Sequence, residues 1–164
     1  IHVIRMSLIG LSTVDLRDVL EKSKISRFFS LGVFSSDICP NLSKTPNVFI
    51  WNTAPCTEDG EHWVACFIDL NGQCFYFDSS GSKIPSNFRN HLKNFKIIQV
   101  VQHPLQSMFS TVCGEYCVMF IHWVCLGLNP CLFVKSTFTG NTVKNDKKVA
   151  KWYGRLKQNL ERYK

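Results

Sequence analysis

The chain has 164 residues, 45% of them hydrophobic, and a formal net charge of +7. This length suits one compact core, so we expect a single globular domain over residues 1–164. No apolar run approaches the roughly 20 residues of a membrane span, and the N-terminus lacks signal-peptide regions, which argues against a membrane or secreted protein. Because the chain does not begin with methionine, residues 1–5 are interpreted as a remnant or the end of a cut fragment, with Met6 as the natural start.

The eight cysteines do not have the setting of a disulfide framework. Several lie inside apolar runs, where free cysteine behaves as a small hydrophobic residue. A domain of this length does not need disulfides, so a reducing compartment is expected. No C-x-x-C pair occurs, and we expect no metal site.

The first half of the chain predicts one helix and three strands. Residues 12–24 read as a short capped amphipathic helix. The run VFIWNTA from Val48 is rich in β-branched and aromatic residues and predicts a strand. Residues 62–70 and 73–79 predict two more strands, and the Asn71-Gly72 pair between them indicates an antiparallel hairpin.

The second half adds a helix at residues 82–95, a strand at 96–101 and two further helices. The stretch 113–128 is apolar around most of its circumference, which predicts a central, buried helix. Residues 144–164 form a basic helix with one apolar side. The whole pattern predicts an α+β domain, with an antiparallel-rich sheet and a buried helix that begins at Cys113.

Cys113 at the start of this helix is a candidate nucleophile. Unpaired backbone N–H groups and the positive end of the helix dipole favour a thiolate there. Gly114 has no Cβ and would leave room for a substrate carbonyl, while Ser110 or Thr111 could cap the turn before the helix. Taken alone, Cys113 is equally compatible with a packing role.

A cysteine nucleophile needs a base and a group that orients the base. His62 is the best candidate for the base, because it begins a strand after an acidic loop. The hairpin brings Asp78 across from His62, where its carboxylate can hold the imidazole. The remaining histidines are less suitable by position: His2, His91, His103 and His122.

An amide donor is also expected, to stabilise the oxyanion of the tetrahedral intermediate. Gln106 precedes Cys113 by seven residues, in the loop HPLQSMFSTV. Gln102 is an alternative that lies nearer the predicted strand.

These segments, taken in order, resemble a known protease family. NTAPCTEDGEHWVACF, FYFDSSG and LQSMFSTVCGEYCVMFIHW are similar to the adenovirus endopeptidase (adenain) family and, more distantly, to the Ulp-type SUMO proteases. In that clan a His-Trp pair is followed by Asp or Glu, then by Gln, then by Cys-Gly at a helix start. The resemblance includes FFSLGVF and covers about Phe28 to Trp123.

The resemblance implies a cysteine endopeptidase with an adenain/Ulp-like fold. It assigns the base to His62, the orienting group to Asp78, the nucleophile to Cys113, the oxyanion donor to Gln106 and a cleft wall to Trp63. Enzymes of this family cleave viral precursor proteins at glycine-containing sites, act in virions and the host nucleus, and are stimulated by DNA and a short viral peptide. We therefore expect capsid or core precursors as substrates, no obligatory cofactor, and a monomer.

Two positions depart from the adenain pattern. Asp78 stands where adenain carries Glu, which is the Ulp-like choice and chemically equivalent. The cysteine that binds the activating peptide in adenain would fall near Phe95, but no cysteine lies between Cys74 and Cys113. A covalently bound peptide activator is therefore not expected here.

The C-terminal segment concentrates positive charge. Residues 144–164 contain eight Lys or Arg against two acidic residues, which is +6 of the total +7. Such a stripe can bind phosphates without reading sequence, and the candidates for DNA contact are Lys147, Lys148, Lys151 and Arg155. A solvated helix face explains the pattern equally well.

Two alternatives to a viral processing protease remain open. One is a ubiquitin-like-protein protease, since enzymes of the same clan cut after Gly-Gly. The other is a catalytically silent domain that binds DNA or a capsid protein. The intact set of Cys, His, Asp and Gln argues against a silent domain.

Overall fold

The computed structural model describes residues 10–23 and 29–162. His2, Met6 and the proposed remnant at residues 1–5 lie outside these ranges. The helices are α1 (Thr13–Lys22), α2 (Ser86–His91), α3 (Cys113–Cys125), α4 (Phe133–Thr137) and α5 (Thr142–Arg162), and a 3-10 turn covers Pro130–Leu132. The strands are β1 (Ser30–Phe34), β2 (Asn47–Asn52), β3 (Trp63–Ile68), β4 (Gln73–Phe77) and β5 (Lys96–Gln99).

The five strands form one mixed sheet in the order β1-β2-β3-β4-β5. The two central pairs, β2–β3 and β3–β4, are antiparallel, and β3 and β4 are joined by residues 69–72, which include the Asn71-Gly72 pair but form a longer turn than the predicted two-residue connection. Gly72 has φ +74 there, a conformation that glycine adopts without a Cβ penalty. The outer pairs, β1–β2 and β4–β5, are parallel. The antiparallel-rich prediction therefore holds for the centre of the sheet and not for its edges.

Both faces of the sheet are covered, so β2 is buried along its whole length. On one face, strand residues such as Ile50 and Phe77 pack against α3 within a cluster that also takes in α1 and α5. On the other face, Trp51 and its neighbours pack against α2. The rings of Phe77 and Phe120 stack at 4.8 Å on the first face, and those of Trp51 and Phe88 at 4.2 Å on the second.

Local sequence accounts for the helix boundaries. At α1, Ser12 and Asp15 form a capping box, with the Asp15 amide donating to Ser12 Oγ at 3.2 Å. The helix predicted at 82–95 is shortened to α2 and begins after Pro85, whose fixed φ suits a helix start. Helix α5 is 21 residues long and turns Val149 and Tyr153 inward. Two elements were not predicted, namely β1 and the short helical stretch from Pro130.

All eight cysteines lie in the described part of the chain, and all are free thiols. Cys66, Cys74 and Cys117 are fully buried between the sheet and its helices, as expected for packing residues. Within residues 10–23 and 29–162, no helix has both the length and the apolarity to cross a bilayer.

Candidate active site

The candidate site lies at one end of the sheet, where three elements begin or end together. His62 immediately precedes β3, Asp78 immediately follows β4, and Cys113 is the first residue of α3. Helix α3 packs over β3, which brings its N-terminus to the same end. A cleft of about 1290 Å³ opens there, and His62, Gln106 and Cys113 all line it.

The hairpin register brings His62 and Asp78 together. Ala65 pairs with Phe77, so the next pair places Asp78 opposite Val64, a diagonal position from His62. The His62 backbone carbonyl accepts a hydrogen bond from Thr53 N at 2.9 Å, which anchors the strand start to the neighbouring chain segment. His62 Nε2 lies 2.7 Å from Asp78 Oδ1. The predicted base and its orienting carboxylate are therefore in direct contact.

The electrostatics of His62 favour the imidazolium. Burial lowers its pKa, but hydrogen bonds to the Asp78 and Cys113 side chains, and the negative charge of each, outweigh burial and raise the pKa to about 10. Because Nε2 is occupied by Asp78, the other ring nitrogen, Nδ1, is the one left for the thiol. The ring is thus held between a carboxylate and a sulfur, as an imidazolium–thiolate pair requires.

Asp78 is held as a carboxylate. The residue is only 3% exposed, and burial opposes its charge, but the hydrogen bond and positive charge of His62, with bonds from Ser80, lower the pKa of Asp78 below its ordinary value. Ser80 donates twice to Asp78 Oδ1, from its backbone N at 2.8 Å and from Oγ at 2.7 Å. These bonds fix the carboxylate that in turn fixes the imidazole.

The N-terminus of α3 carries no side-chain cap. Val112 occupies the N-cap position and makes no side-chain cap hydrogen bond. Ser110 Oγ accepts from the Val112 amide at 3.4 Å, so Ser110, one of the two predicted candidates, bonds within the turn before the helix. The Cys113 and Gly114 amides, which have no side-chain acceptor among the described residues, therefore remain available to stabilise negative charge at Cys113 or on a substrate oxygen.

Gln106, rather than Gln102, is the glutamine at the cleft. Gln106 lines the cleft together with Cys113, and its Nε2 donates to the Ser110 carbonyl at 2.8 Å. Gln102 is exposed and its Nε2 donates to the Gln99 carbonyl at 2.8 Å, which holds it on the β5 side.

Trp63 lines the cleft, as expected of a cleft wall. Its ring is 7% exposed, and Nε1 donates to the Leu11 carbonyl at 2.8 Å. This bond attaches the segment before α1 to the cleft. The wall is thus built from β3 and the N-terminal segment together.

Gly114 does not have the position predicted for it. It is buried beneath the cleft, and a Cβ on it would lie 3.1 Å from Leu11 Cβ and 3.4 Å from Leu16 Cδ2. The missing side chain makes room for α1 and its preceding segment to pack on α3, not for a substrate carbonyl. This corrects the role predicted from the sequence, because residues distant in the chain, Leu11 and Leu16, occupy the space that a Cβ of residue 114 would enter.

The remaining candidates are spread over the molecule. Lys147, Lys148, Lys151 and Arg155 are exposed along α5. His122 is buried on α3, where its Nε2 lies 3.2 Å from Ser23 Oγ. His91 packs near Trp51, and His103 is exposed.

Two residues that hold the site together were missed by the sequence analysis. Ser79 Oγ donates to Gln106 Oε1 at 2.7 Å, and Asp146 accepts from the Ser107 amide at 3.2 Å. The Asp-Ser-Ser run after β4 was a usable signal for Ser79, since hydroxyls that follow a strand often bond to nearby loops. Asp146 carried no such signal, because it lies 39 residues from its partner on the basic helix.

Comparison with known proteins gives a fold but no sequence family. No protein-family model and no curated protein matches the chain. Two crystal structures of the African swine fever virus (ASFV) pS273R protease match it, one of them of the selenomethionine form. Their TM-scores are 0.64 and 0.63 at 18% and 17% identity, covering 89% of this chain and 68% and 67% of theirs. The predicted α+β cysteine protease fold is confirmed by this likeness.

A more distant structural match is the Chlamydia trachomatis effector protein Cdu1 bound to ubiquitin. Its TM-score is 0.48 at 18% identity, over 61% of this chain and 48% of Cdu1. This match is too weak to carry an argument about the present chain. The specific likeness to the adenovirus enzymes stays a prediction.

Proposed function

We propose that this chain is a cysteine endopeptidase with Cys113 as nucleophile, His62 as base and Asp78 as the group that orients the base. The 2.7 Å contact between His62 Nε2 and Asp78 Oδ1 carries the proposal. The start of β3, the end of β4 and the start of α3 meet at this place, and His62 and Cys113 line one cleft. A buried cysteine that served packing alone would not need an oriented imidazole beside it.

The proposed reaction proceeds by acyl transfer through a thioester. Cys113 Sγ attacks the scissile carbonyl carbon, and the carbonyl π electrons move to oxygen, where the Cys113 backbone N–H and Gln106 Nε2 hold the oxyanion. As the C–N bond breaks, the His62 imidazolium gives its proton to the leaving amine. Neutral His62 then takes a proton from water, whose oxygen attacks the thioester. The C–S bond breaks, the acid product leaves, and the thiolate–imidazolium pair is restored.

The substrates we propose are viral capsid or core precursor proteins, cut at glycine-containing sites. The resemblance to adenain-like enzymes and the fold shared with a viral protease support this class. The chain would then belong to a DNA virus or a virus-derived element and act in virions and the host nucleus. Preferential cleavage of a folded ubiquitin or SUMO fusion over short glycine-containing peptides would support the alternative, a ubiquitin-like-protein protease.

The proposal is tested first by the reactivity of Cys113. We expect iodoacetamide to modify Cys113 at neutral pH much faster than Cys131, an exposed thiol in the same chain. In His62→Ala the rate at Cys113 should fall to that of an ordinary thiol, because the imidazolium no longer stabilises the thiolate. Rates at each cysteine are read by mass spectrometry between pH 5 and 10.

Hydrolysis of glycine-containing peptides completes this test. Cys113→Ala should remove all activity while circular dichroism and the unfolding temperature stay those of the parent chain. An active Cys113→Ala protein would contradict the proposal. A silent binding domain would instead be favoured by two results together. Cys113 and Cys131 would be labelled at equal rates that His62→Ala does not change, and no peptide would be hydrolysed.

We also propose that α5 binds a polyanion such as DNA. Six basic residues share the solvent side of this helix, opposite buried Val149: Lys144, Lys147, Lys148, Lys151, Arg155 and Arg162. Of the two acidic residues of α5, Asp146 lies on the other side of the helix, and Glu161 lies beside this stripe. The helix is about 30 Å long. Duplex binding that weakens steeply with salt would support this proposal.

A further inference from the structure

The side-chain amide of Gln106 is held at both ends. Its Nε2 donates to the Ser110 carbonyl at 2.8 Å, and its Oε1 accepts from Ser79 Oγ at 2.7 Å. A backbone carbonyl can only accept, so the atom that faces Ser110 must be the amide nitrogen. The hydroxyl of Ser79 therefore faces the amide oxygen and has donated its single proton to it.

This arrangement leaves one donor of Gln106 unused. An amide nitrogen has two hydrogens, and only one of those on Nε2 has an acceptor among the described residues, the Ser110 carbonyl. Gln106 lines the cleft beside Cys113. The second hydrogen is thus available to an acceptor in the cleft, such as the oxygen of a tetrahedral intermediate.

Ser79 also holds the backbone of the same loop. Its carbonyl oxygen accepts from the Leu105 amide at 2.9 Å and from the Gln106 amide at 3.1 Å. Ser79 is fully buried and directly follows Asp78. One strand end therefore positions the carboxylate on His62 through Asp78 and the amide of Gln106 through Ser79.

We propose that Ser79 is a positioning residue that sets the orientation of the Gln106 amide, so that nitrogen and not oxygen is offered to the oxyanion. This inference rests on the proposed peptidase function. Without the Ser79 hydroxyl, the amide oxygen loses its donor, and only the Ser110 carbonyl still opposes rotation of the amide by half a turn. An amide oxygen turned toward the cleft would repel the oxyanion instead of stabilising it.

The test compares peptide hydrolysis with thiol alkylation in Ser79→Ala. Alkylation by iodoacetamide forms no oxyanion, so its rate at Cys113 should stay that of the wild type. Hydrolysis of a glycine-containing peptide passes through the oxyanion, and we expect kcat to fall roughly 10- to 100-fold with KM within about twofold, somewhat less than the loss of an oxyanion donor itself. A fall in both rates would overturn the proposal, because Ser79 would then act through the fold or the Cys-His pair.

A double-mutant cycle identifies Gln106 as the residue through which Ser79 acts. In the Gln106→Ala background, Ser79→Ala should cost nothing further, since no amide is left to orient. Losses that multiply in full would overturn the assignment, as would an unchanged kcat in Ser79→Ala. Absence of hydrolysis by the wild type would instead overturn the proposed function, and the positioning role with it.

Two further variants separate positioning from stability. Ser23→Ala is the matched control, because it removes another buried serine hydroxyl that lies by His122, away from the cleft. Its kcat should equal that of the wild type. Ser79→Cys keeps a donor at the same position, although the thiol is a weaker donor and a larger group than the hydroxyl, and it replaces Ser79→Ala if that variant does not fold. Its kcat should lie between those of Ser79→Ala and the wild type, and a wild-type kcat would contradict the role of the hydrogen bond.

Discussion

At the residue scale, the protonation state of the His62 imidazole decides the chemistry of the site. The contact of Nε2 with Asp78 leaves Nδ1 for Cys113, and the raised pKa of about 10 keeps the ring protonated through the neutral range. An imidazolium favours the thiolate form of a neighbouring cysteine, whereas a thiol beside a neutral imidazole would have to ionise first. The pair therefore persists until the imidazolium loses its proton, and activity should be lost as the pH rises through about 10.

Asp78→Asn tests this dependence. The asparagine oxygen can still accept from His62 Nε2, but the negative charge that helps to raise the pKa of His62 is removed. We expect the alkaline limb of the pH profile of kcat/KM to move down by at least about one pH unit. The profile is measured with a glycine-containing peptide, and Asp18→Asn on α1 serves as a charge-matched control.

The direction of the shift is the informative result. Burial lowers the pKa of His62, and the negative charge of Asp78 acts against this effect. When that charge is removed, the pKa of His62 should therefore fall. A profile of Asp78→Asn that coincides with that of the wild type would show that the charge of Asp78 does not govern His62. An equal shift in Asp18→Asn would assign the effect to net charge instead.

At the element scale, the loop that carries Gln106 is attached to α5 on both sides of that residue. Asp146 accepts from the amide and the hydroxyl of Ser107, and the hydroxyl of Tyr116 on α3 lies 2.9 Å from Asp146 Oδ1. Asn145 Nδ2 donates to the Leu105 carbonyl at 3.1 Å. The start of the basic helix thus holds the loop against the nucleophile helix.

We predict that Asp146→Asn loosens this loop. An amide offers one acceptor oxygen where the carboxylate offered two, so residue 146 can no longer accept from both Ser107 and Tyr116, and the bonds that remain lose the assistance of the negative charge. Unfolding free energy should fall by about 1–3 kcal/mol, and kcat should fall because Gln106 is less well positioned. The readouts are thermal unfolding, kcat, and hydrogen exchange at the Ser107 amide, which should become faster.

Glu161→Gln provides the control for Asp146→Asn. It removes the other negative charge of α5, from an exposed position. It should leave exchange at Ser107 and kcat unchanged. Equal effects of the two variants would assign the result to the charge of the helix and not to the hydrogen bonds of Asp146.

At the scale of the whole molecule, the charge is divided unequally. Of the net +7, the segment from residue 144 contributes +6, and the remainder of the chain is close to neutral. The basic stripe faces solvent on α5, while the helix start contacts the loop that carries Gln106. A polyanion on the stripe would therefore bind an element that also holds part of the cleft.

We predict that duplex DNA binds α5 with a strong dependence on salt. Replacing Lys147, Lys148, Lys151 and Arg155 by glutamine should weaken binding and lower the slope of log K against log salt by up to about 3 to 4, since each phosphate contact contributes about 0.9. The measurement is fluorescence anisotropy of a labelled duplex over a range of salt concentrations.

The matched control removes the same four charges elsewhere. Arg89, Lys83, Lys93 and Lys96 are exposed on or near α2 and β5, and glutamine at these positions should leave the slope as in the wild type. If both sets reduce the slope equally, net charge and not the stripe determines binding. If the parent chain shows no salt-dependent binding, α5 is a solvated helix face.

The sequence by itself determined the candidate nucleophile, base and orienting carboxylate, because their placement depends on local structure. The Asn71-Gly72 pair indicates the hairpin that brings His62 to Asp78, and the apolar run after Cys113 sets the start of α3. Each of these signals involves only a few neighbouring residues or a single hairpin, so it can be recognised from the local sequence alone.

Only the tertiary structure decided the remainder, since it depends on contacts between distant segments. The parallel pairing of β1 with β2, the packing of Gly114 against Leu11 and the bond from Ser107 to Asp146 join residues 17 to 103 positions apart. The same holds for the choice of Gln106 over Gln102, since Ser79, 27 positions earlier, secures the amide. Such contacts leave no periodic pattern or motif in the sequence. Each residue fits a partner that lies far away in the chain, so the local sequence does not show which partner it will have.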